Sequence, residues 1–238
     1  MHETLPEDWG ADELSEYLDT SISNCVATFA NSKAEYSALQ RIDSIFVRAG
    51  KSIDHTNEVW PAILFFRSHS SFRTAVYLSM AGHQIETFAI LRQAIEYALY
   101  ANHMSKNPES IEAWLARSNS EKERARCRTE FSYANVIKSV KLKHLNQALR
   151  SLYVRCIDYG AHPNEASVFT SMLVERDGKG TAKVKQTILS CENQLVGLSQ
   201  KTIRQAGICM LDVFRSIWSE RFQIMGLAEE LREQKKGL

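Results

Sequence analysis

The chain is short of residues that interrupt regular structure. Ten glycines and four prolines in 238 residues leave few turns, so long elements with short connections are expected. Its five cysteines (Cys25, Cys127, Cys156, Cys191, Cys209) are scattered, odd in number and without a Cys-x-x-Cys pair. That pattern argues against a disulfide framework or a zinc site and for reduced thiols, as in a cytoplasmic protein. No apolar run approaches the roughly 18 residues of a membrane span. The longest candidate, Ala62–Phe66, is cut off by Arg67, Ser68 and His69. The opening MHETLPEDWGADE is acidic and lacks an apolar core, so no signal peptide is expected. Excess charge is missing too: 29 Lys and Arg face 28 Asp and Glu. A field over the whole molecule that would attract nucleic acid or a membrane is therefore not expected.

Several catalytic signatures are absent as well. There is no E-x-x-H, G-x-S-x-G, H-E-x-x-H or G-x-G-x-x-G, and Gly178-Lys179-Gly180-Thr181 lacks the upstream glycine of a P-loop. No metal or cofactor is expected.

What the chain does have is helical periodicity. Hydrophobic residues make up 44% and charged residues 24%, as in folded globular proteins. The reading is all-α: a single domain over residues 1–238, a multi-helix bundle of about seven to nine helices. Residues 1–11 form a loose lead, and residues 225–238 form a charged tail whose Glu229–Lys236 stretch reads as a solvated helix end. The organising stretch is His83–Met104, apolar on nearly every face, which places it in the middle of a core. A helix over about Asn57–Met80 precedes it, and Ala81-Gly82-His83 turns one into the other. So short a connection implies a central antiparallel helical hairpin.

Upstream, Leu18, Ile22, Cys25, Val26 and Phe29 form one apolar stripe, and Tyr36, Leu39, Ile42, Ile45 and Phe46 the next, with a break at Asn31-Ser32. Downstream, Asn107 suits an N-cap and Pro108 the first helical position. Helices are expected over about Ser120–Leu142 and His144–Tyr159, with Gly160 free to cap the latter in a left-handed conformation. Val168–Val174 and Thr181–Ile188 fit a small β-hairpin near residues 168–188 or an irregular excursion. The chain is helical again from about Gln194 to Lys235.

Three groups of residues suggest chemistry. The first is in the hairpin. Arg73 lies nine residues before Gly82 and Arg92 ten after it; His69 lies thirteen before and Glu96 fourteen after. At equal rise per residue these pairs share a depth, which predicts one cluster of His69, Arg73, Arg92 and Glu96. Such a cluster either fixes register or binds an anion, and truncating Glu96 would then cost ~3–5 kcal/mol. The second group is Arg155, Asp158, Tyr159 and His162, at offsets 0, 3, 4 and 7, with Asn164 two residues beyond. On a continuing helix these four share a face. An arginine holds a phosphate, and a neutral histidine takes a proton from a ribose 2′-hydroxyl. Asp158, Tyr159 and Asn164 would support the pair. The third group is a basic segment. Residues 115–150 carry nine Lys and Arg against three Glu, a net +6. Within it Arg124, Arg126, Arg128, Lys138, Lys141 and Lys143 suit a nucleic-acid backbone or a solvated helix face.

Two stretches resemble known families. LRQAIEYALYANHMSKNPESIEAWL, with the later Tyr159-Gly160-Ala161-His162-Pro163-Asn164, resembles an uncharacterised bacterial all-helical family. That family has an Arg-x3-Glu helix and a His-Pro-Asn turn. Arg155 to His162 is similar to the Arg-x(4–6)-His motif of HEPN domains, although Cys156 stands where those ribonucleases usually carry a polar residue. The resemblance implies an all-α, homodimeric, metal-independent endoribonuclease of a toxin or antiviral system, with Arg155 and His162 as the catalytic pair and RNA as partner. The alternative is a non-enzymatic helical sensor that meets a protein partner or a small anion through the polar hairpin. Neither reading involves a membrane.

Overall fold

The computed structural model describes residues 6–53, 55–161, 165, 168, 172–176, 181–191 and 193–236. Among these, eleven α-helices and one two-stranded sheet form an all-α bundle. The helices are α1 (Glu13–Asn31), α2 (Lys33–Ser52), α3 (Val59–Ala81), α4 (Gln84–Lys106), α5 (Ser110–Leu115), α6 (Glu121–Glu130), α7 (Tyr133–Val136), α8 (Lys143–Cys156), α9 (Asn193–Ile217), α10 (Ser219–Ile224) and α11 (Leu227–Gln234). They outnumber the expected seven to nine because two stretches that read as continuous helices are interrupted. Phe131-Ser132 separates α6 from α7, and breaks at Trp218 and at Met225-Gly226 set off α10 and α11.

The central hairpin is α3 and α4. Gly82 has φ 99°, and its N–H reaches the Leu78 and Ser79 carbonyls. A side chain is strained at that φ, so glycine is what allows so tight a reversal. Phe65 and Phe72 of α3, Leu91, Ile95 and Leu99 of α4, and Phe46 of α2 are fully buried. Phe214 of α9 closes the core edge-on to Phe65, ring centroids 4.8 Å apart. Burying a side chain of this size contributes ~1.5–3 kcal/mol.

At the far end of α4 the cap assignment is corrected. Asn107 does not start α5. Its backbone N–H and its side-chain amide (3.0 Å) both donate to the His103 carbonyl at the end of α4, and α5 begins at Ser110.

Gly160 is corrected too. Helix α8 does not stop in a left-handed cap: it widens into a π-type turn over Ile157–Ala161, and Gly160 is not among the positive-φ glycines. Its missing side chain serves a close approach instead. A Cβ there would run into the Ile85 carbonyl of α4.

The C-terminal stretch is not merely solvated. Leu227 and Leu231 of α11 are buried, Glu230 pairs with Arg48 of α2, and Lys235 Nζ lies 2.6 Å from Asp212 of α9. Strands β1 (Met172–Arg176) and β2 (Ala182–Gln186) pair antiparallel with Val174 opposite Val184, an exposed β-hairpin. Among the described residues no helix is long and apolar enough to cross a membrane.

Candidate functional site

Helix α8 turns Leu145, Leu149, Leu152 and Cys156 inward, all buried. Arg155 sits beside that stripe, half-buried, on the wall of a groove between α8 and α9. The groove encloses about 380 Å³, a volume suited to a small ligand or part of a larger one. Its floor is Leu145, Leu152 and Ile208; its polar rim includes His144, Gln205, Asp212 and Lys235.

Arg155 Nη1 donates to Gln205 Oε1 at 2.9 Å and to Thr202 Oγ1 at 3.3 Å. Thr202 spends its own proton on the Leu198 carbonyl, so its oxygen is free to accept. Both acceptors are neutral. Among the described residues no carboxylate is ion-paired with Arg155, so the guanidinium is oriented without having its charge cancelled. Such a cation is a ready anion holder. Asp212 is the acid of the groove, and Lys235 and Arg215 (3.1 Å) cover it.

The other members of the expected Arg155 face separate. Asp158 is exposed, whereas Tyr159 tilts against Phe88 of α4, centroids 5.4 Å apart, and serves the core. The π-type turn at Ile157 is why: it ends the 3.6-residue repeat on which the shared face depended. His162 and Asn164 lie outside the described residues. The thiols flanking the groove are unsuited to nucleophilic work. Burial pushes both Cys156 and Cys209 up to about 12, so neither is a thiolate at neutral pH.

The basic segment divides. Arg124 is bound to Glu121 at 2.5 Å and Arg126 to Glu123 at 3.4 Å, each within its own helix. Arg128, Lys138, Lys141 and Lys143 are exposed, with no ion pair among the described residues. Lys141 is near enough to Lys106 to depress it, added to the larger effect of burial. From Lys143 and His144, at the start of α8, to Arg155 is about 18 Å at 1.5 Å per residue.

The expected single cluster in the hairpin is corrected to two. His69 and Arg73 both turn to Asp43 of α2: His69 Nε2 at 2.7 Å, Arg73 through Nε at 2.7 Å and Nη2 at 2.9 Å. His69 also stacks on Phe46, centroids 4.9 Å apart. Arg92 and Glu96 pair with each other at 3.3 Å and turn to α8, where Tyr153 donates to Glu96 at 2.8 Å. Tyr133 stacks on Tyr153 at 3.7 Å. Equal depth along two helices says nothing about azimuth. At this depth of α3 it is Ser68 that turns to α4, its hydroxyl donating to the Ala94 carbonyl at 2.9 Å. His69, one position on, is rotated by about 100°.

Sequence reasoning passes over Asp43, although a carboxylate beside the apolar stripe of Leu39, Ile42 and Phe46 asks for partners. It also misses Thr202 and Gln205, spaced i and i+3 on α9.

The division lowers the expected cost of losing Glu96. Its side chain is 28% exposed and that of Arg92 26%, so water relieves the groups left behind. Glu96→Ala is expected to cost about 1–2 kcal/mol in a denaturant melt, not the ~3–5 kcal/mol of a fully buried pair.

Among the described residues no group of three or more His, Cys, Asp and Glu gathers as metal ligands would. Comparison of the chain with protein-family models, curated proteins and solved structures found no match.

Proposed function

We propose that this protein binds RNA along α8 and cleaves it without a metal, in the manner of HEPN ribonucleases. The observation that carries the reading is the state of Arg155: aimed by two neutral acceptors in an open groove, with no carboxylate paired to it among the described residues. Lys138, Lys141 and Lys143, exposed and without an ion pair among the described residues, would lead the phosphate backbone to it. In this reading Arg155 holds the scissile phosphate and His162 takes the proton of the adjacent ribose 2′-hydroxyl. The 2′-oxygen attacks phosphorus, the bond to the 5′-oxygen breaks, and the leaving oxygen picks up a proton. A cyclic phosphate and a 5′-hydroxyl result.

The test is incubation of purified protein with single-stranded RNA in the presence of a chelator, and end-group analysis of the products. Wild type is expected to yield cyclic-phosphate ends; Arg155→Ala and His162→Ala are expected to lose at least about 100-fold in rate while keeping their melting temperature. Wild type that leaves RNA intact, or variants that cut equally well, would sink the ribonuclease reading.

A second reading shares the site. The apolar floor of Leu145, Leu152 and Ile208 beside Arg155 also suits a small organic anion held by a non-enzymatic sensor. Salt separates the two: affinity through several phosphates collapses between low and moderate salt, whereas a single buried ion pair is far less screened.

A further inference from the structure

Helix α1 is amphipathic the wrong way for a bundle helix. Its attachment to the molecule is polar: Thr28 donates to the Met80 carbonyl at 3.0 Å, Asn24 to the Ala81 carbonyl at 3.2 Å, and Ser21 and Tyr17 hydroxyls each lie 3.3 Å from a His83 ring nitrogen. These contacts seat α1 on the turn of the central hairpin. The apolar stripe is left outside: Leu14 is 66% exposed, Leu18 40%, Ile22 49%, Val26 65% and Phe29 45%. Phe29 packs edge-on against Tyr36, and Tyr77 of α3, next to Cys25, is exposed as well.

The surroundings of the stripe narrow what covers it. No charged residue occurs between Asp19 and Lys33, and α1 contains no Lys or Arg. A helix that lies on a membrane carries basic residues on its polar face, and a nucleic-acid surface carries them too; α1 has acids at its start instead. The stripe is also close to symmetric in sequence. Apart from Phe29 its residues recur every four positions, so that Leu18 and Val26 flank Ile22, and Leu14 and Ala30 lie beyond them. Ridges of i, i+4 residues interdigitate with their own kind.

The geometry points to α1 as a self-association surface, on which two copies of this chain pack antiparallel with Ile22 on the two-fold axis. Leu18 of each copy then meets Val26 of the other. A parallel arrangement would bring the two acidic first turns to the same end of the pair, whereas the antiparallel one keeps them apart. Five side chains at about half exposure remove roughly 500 Å² per copy, and so roughly 1,000 Å² per pair, from water. That is the lower bound of a specific interface, and the exposed Tyr77 at its edge adds to it.

Sedimentation velocity on the full chain, from roughly 1 to 100 μM, tests this. Wild type is expected to pass from monomer to dimer within the range. Ile22→Glu sets two like charges face to face across the axis, and is expected to weaken association at least about 100-fold. Val26→Glu, at the most exposed position in the middle of the stripe, is the second variant and reads the same contact if Ile22→Glu folds poorly. Both should keep the helical circular dichroism of wild type. A wild type that stays monomeric throughout, or folded variants that dimerise as wild type does, would overturn the proposal. A monomer that binds some other protein through α1 would equally count against it.

Discussion

Replacing Gly160 with alanine is expected to lower stability by about 3 kcal/mol, the upper end for overpacking a tight contact. The obstacle is backbone: the new methyl would run into the Ile85 carbonyl of α4, which is fixed in the first turn of the central helix and cannot swing aside as a side chain would. One helix or the other must retreat. For a chain of this length the loss corresponds to roughly 6–12 °C in melting temperature. The damage should be local as well as global. The π-type turn over Ile157–Ala161 continues directly from α8, so separating it from α4 also shifts Arg155. Thermal melts monitored by circular dichroism check the first effect; an unchanged melting temperature would mean that the approach is looser than it looks.

The second large effect is expected at Asp43. Partial burial pushes its carboxyl up, but hydrogen bonds from Arg73 and His69 outweigh this and hold it well below the usual carboxylate range. A carboxylate whose folded value is depressed stabilises the protein above its unfolded value and loses that contribution as pH falls towards the folded value. The stabilisation is therefore complete at about pH 5 and above, and drains away as pH drops through the ordinary aspartate value of 3.8 and lower. Asp43→Ala is expected to cost about 2 kcal/mol at pH 7, in the range for hydrogen bonds to charged groups. More would be lost if Arg73 were not 56% exposed and able to return to water. Urea melts of wild type and variant at pH 7 and pH 3 check this: the gap between them should narrow at the lower pH. A gap that is constant with pH would mean that Asp43 acts by packing alone.

The helical hairpin and most helix positions can be read from the sequence because their signals are local, whereas residues 168–188 read equally as two strands or as an irregular excursion. Gly82 marks one reversal, and apolar residues at helical spacing mark the elements on either side. What cannot be read is set by contacts between distant segments. Gly160 before His162-Pro163 looks like a helix stop, and only the position of Ile85, 75 residues earlier, shows the glycine to be a point of close approach. Register puts His69, Arg73, Arg92 and Glu96 at the right depth but with the wrong neighbours, because helix azimuth depends on where α2 and α8 pack. The tail reads as solvated because Arg48 and Asp212, its partners, lie in other helices. The stripe of α1 is plain as a stripe; its exposure is not, since a hydrophobic pattern does not say which molecule covers it.

The candidate site divides the same way. Spacing to His162 draws attention to Arg155, but the feature that gives it weight comes from Thr202 and Gln205, 47 and 50 positions away. Those two neutral acceptors orient the guanidinium and leave its charge available. The basic segment, by contrast, is weaker than its composition suggests. Arg124 and Arg126 are committed to glutamates of their own helix, so Arg128 and the lysines around the start of α8 carry what remains of the electrostatic argument.

The most direct measurement is fluorescence anisotropy of a labelled single-stranded RNA titrated with wild type and with Arg155→Ala, at 50 mM and 200 mM salt, on the order of the range over which phosphate contacts are lost. Wild type is expected to bind at the lower salt and to weaken at least about tenfold at the higher, as it would if several phosphates were held. Arg155→Ala is expected to bind at least about tenfold more weakly than wild type at the lower salt, with an unchanged melting temperature. Wild type that leaves the anisotropy unchanged at the lower salt, or an alanine variant that binds as wild type does, would contradict an RNA site at Arg155.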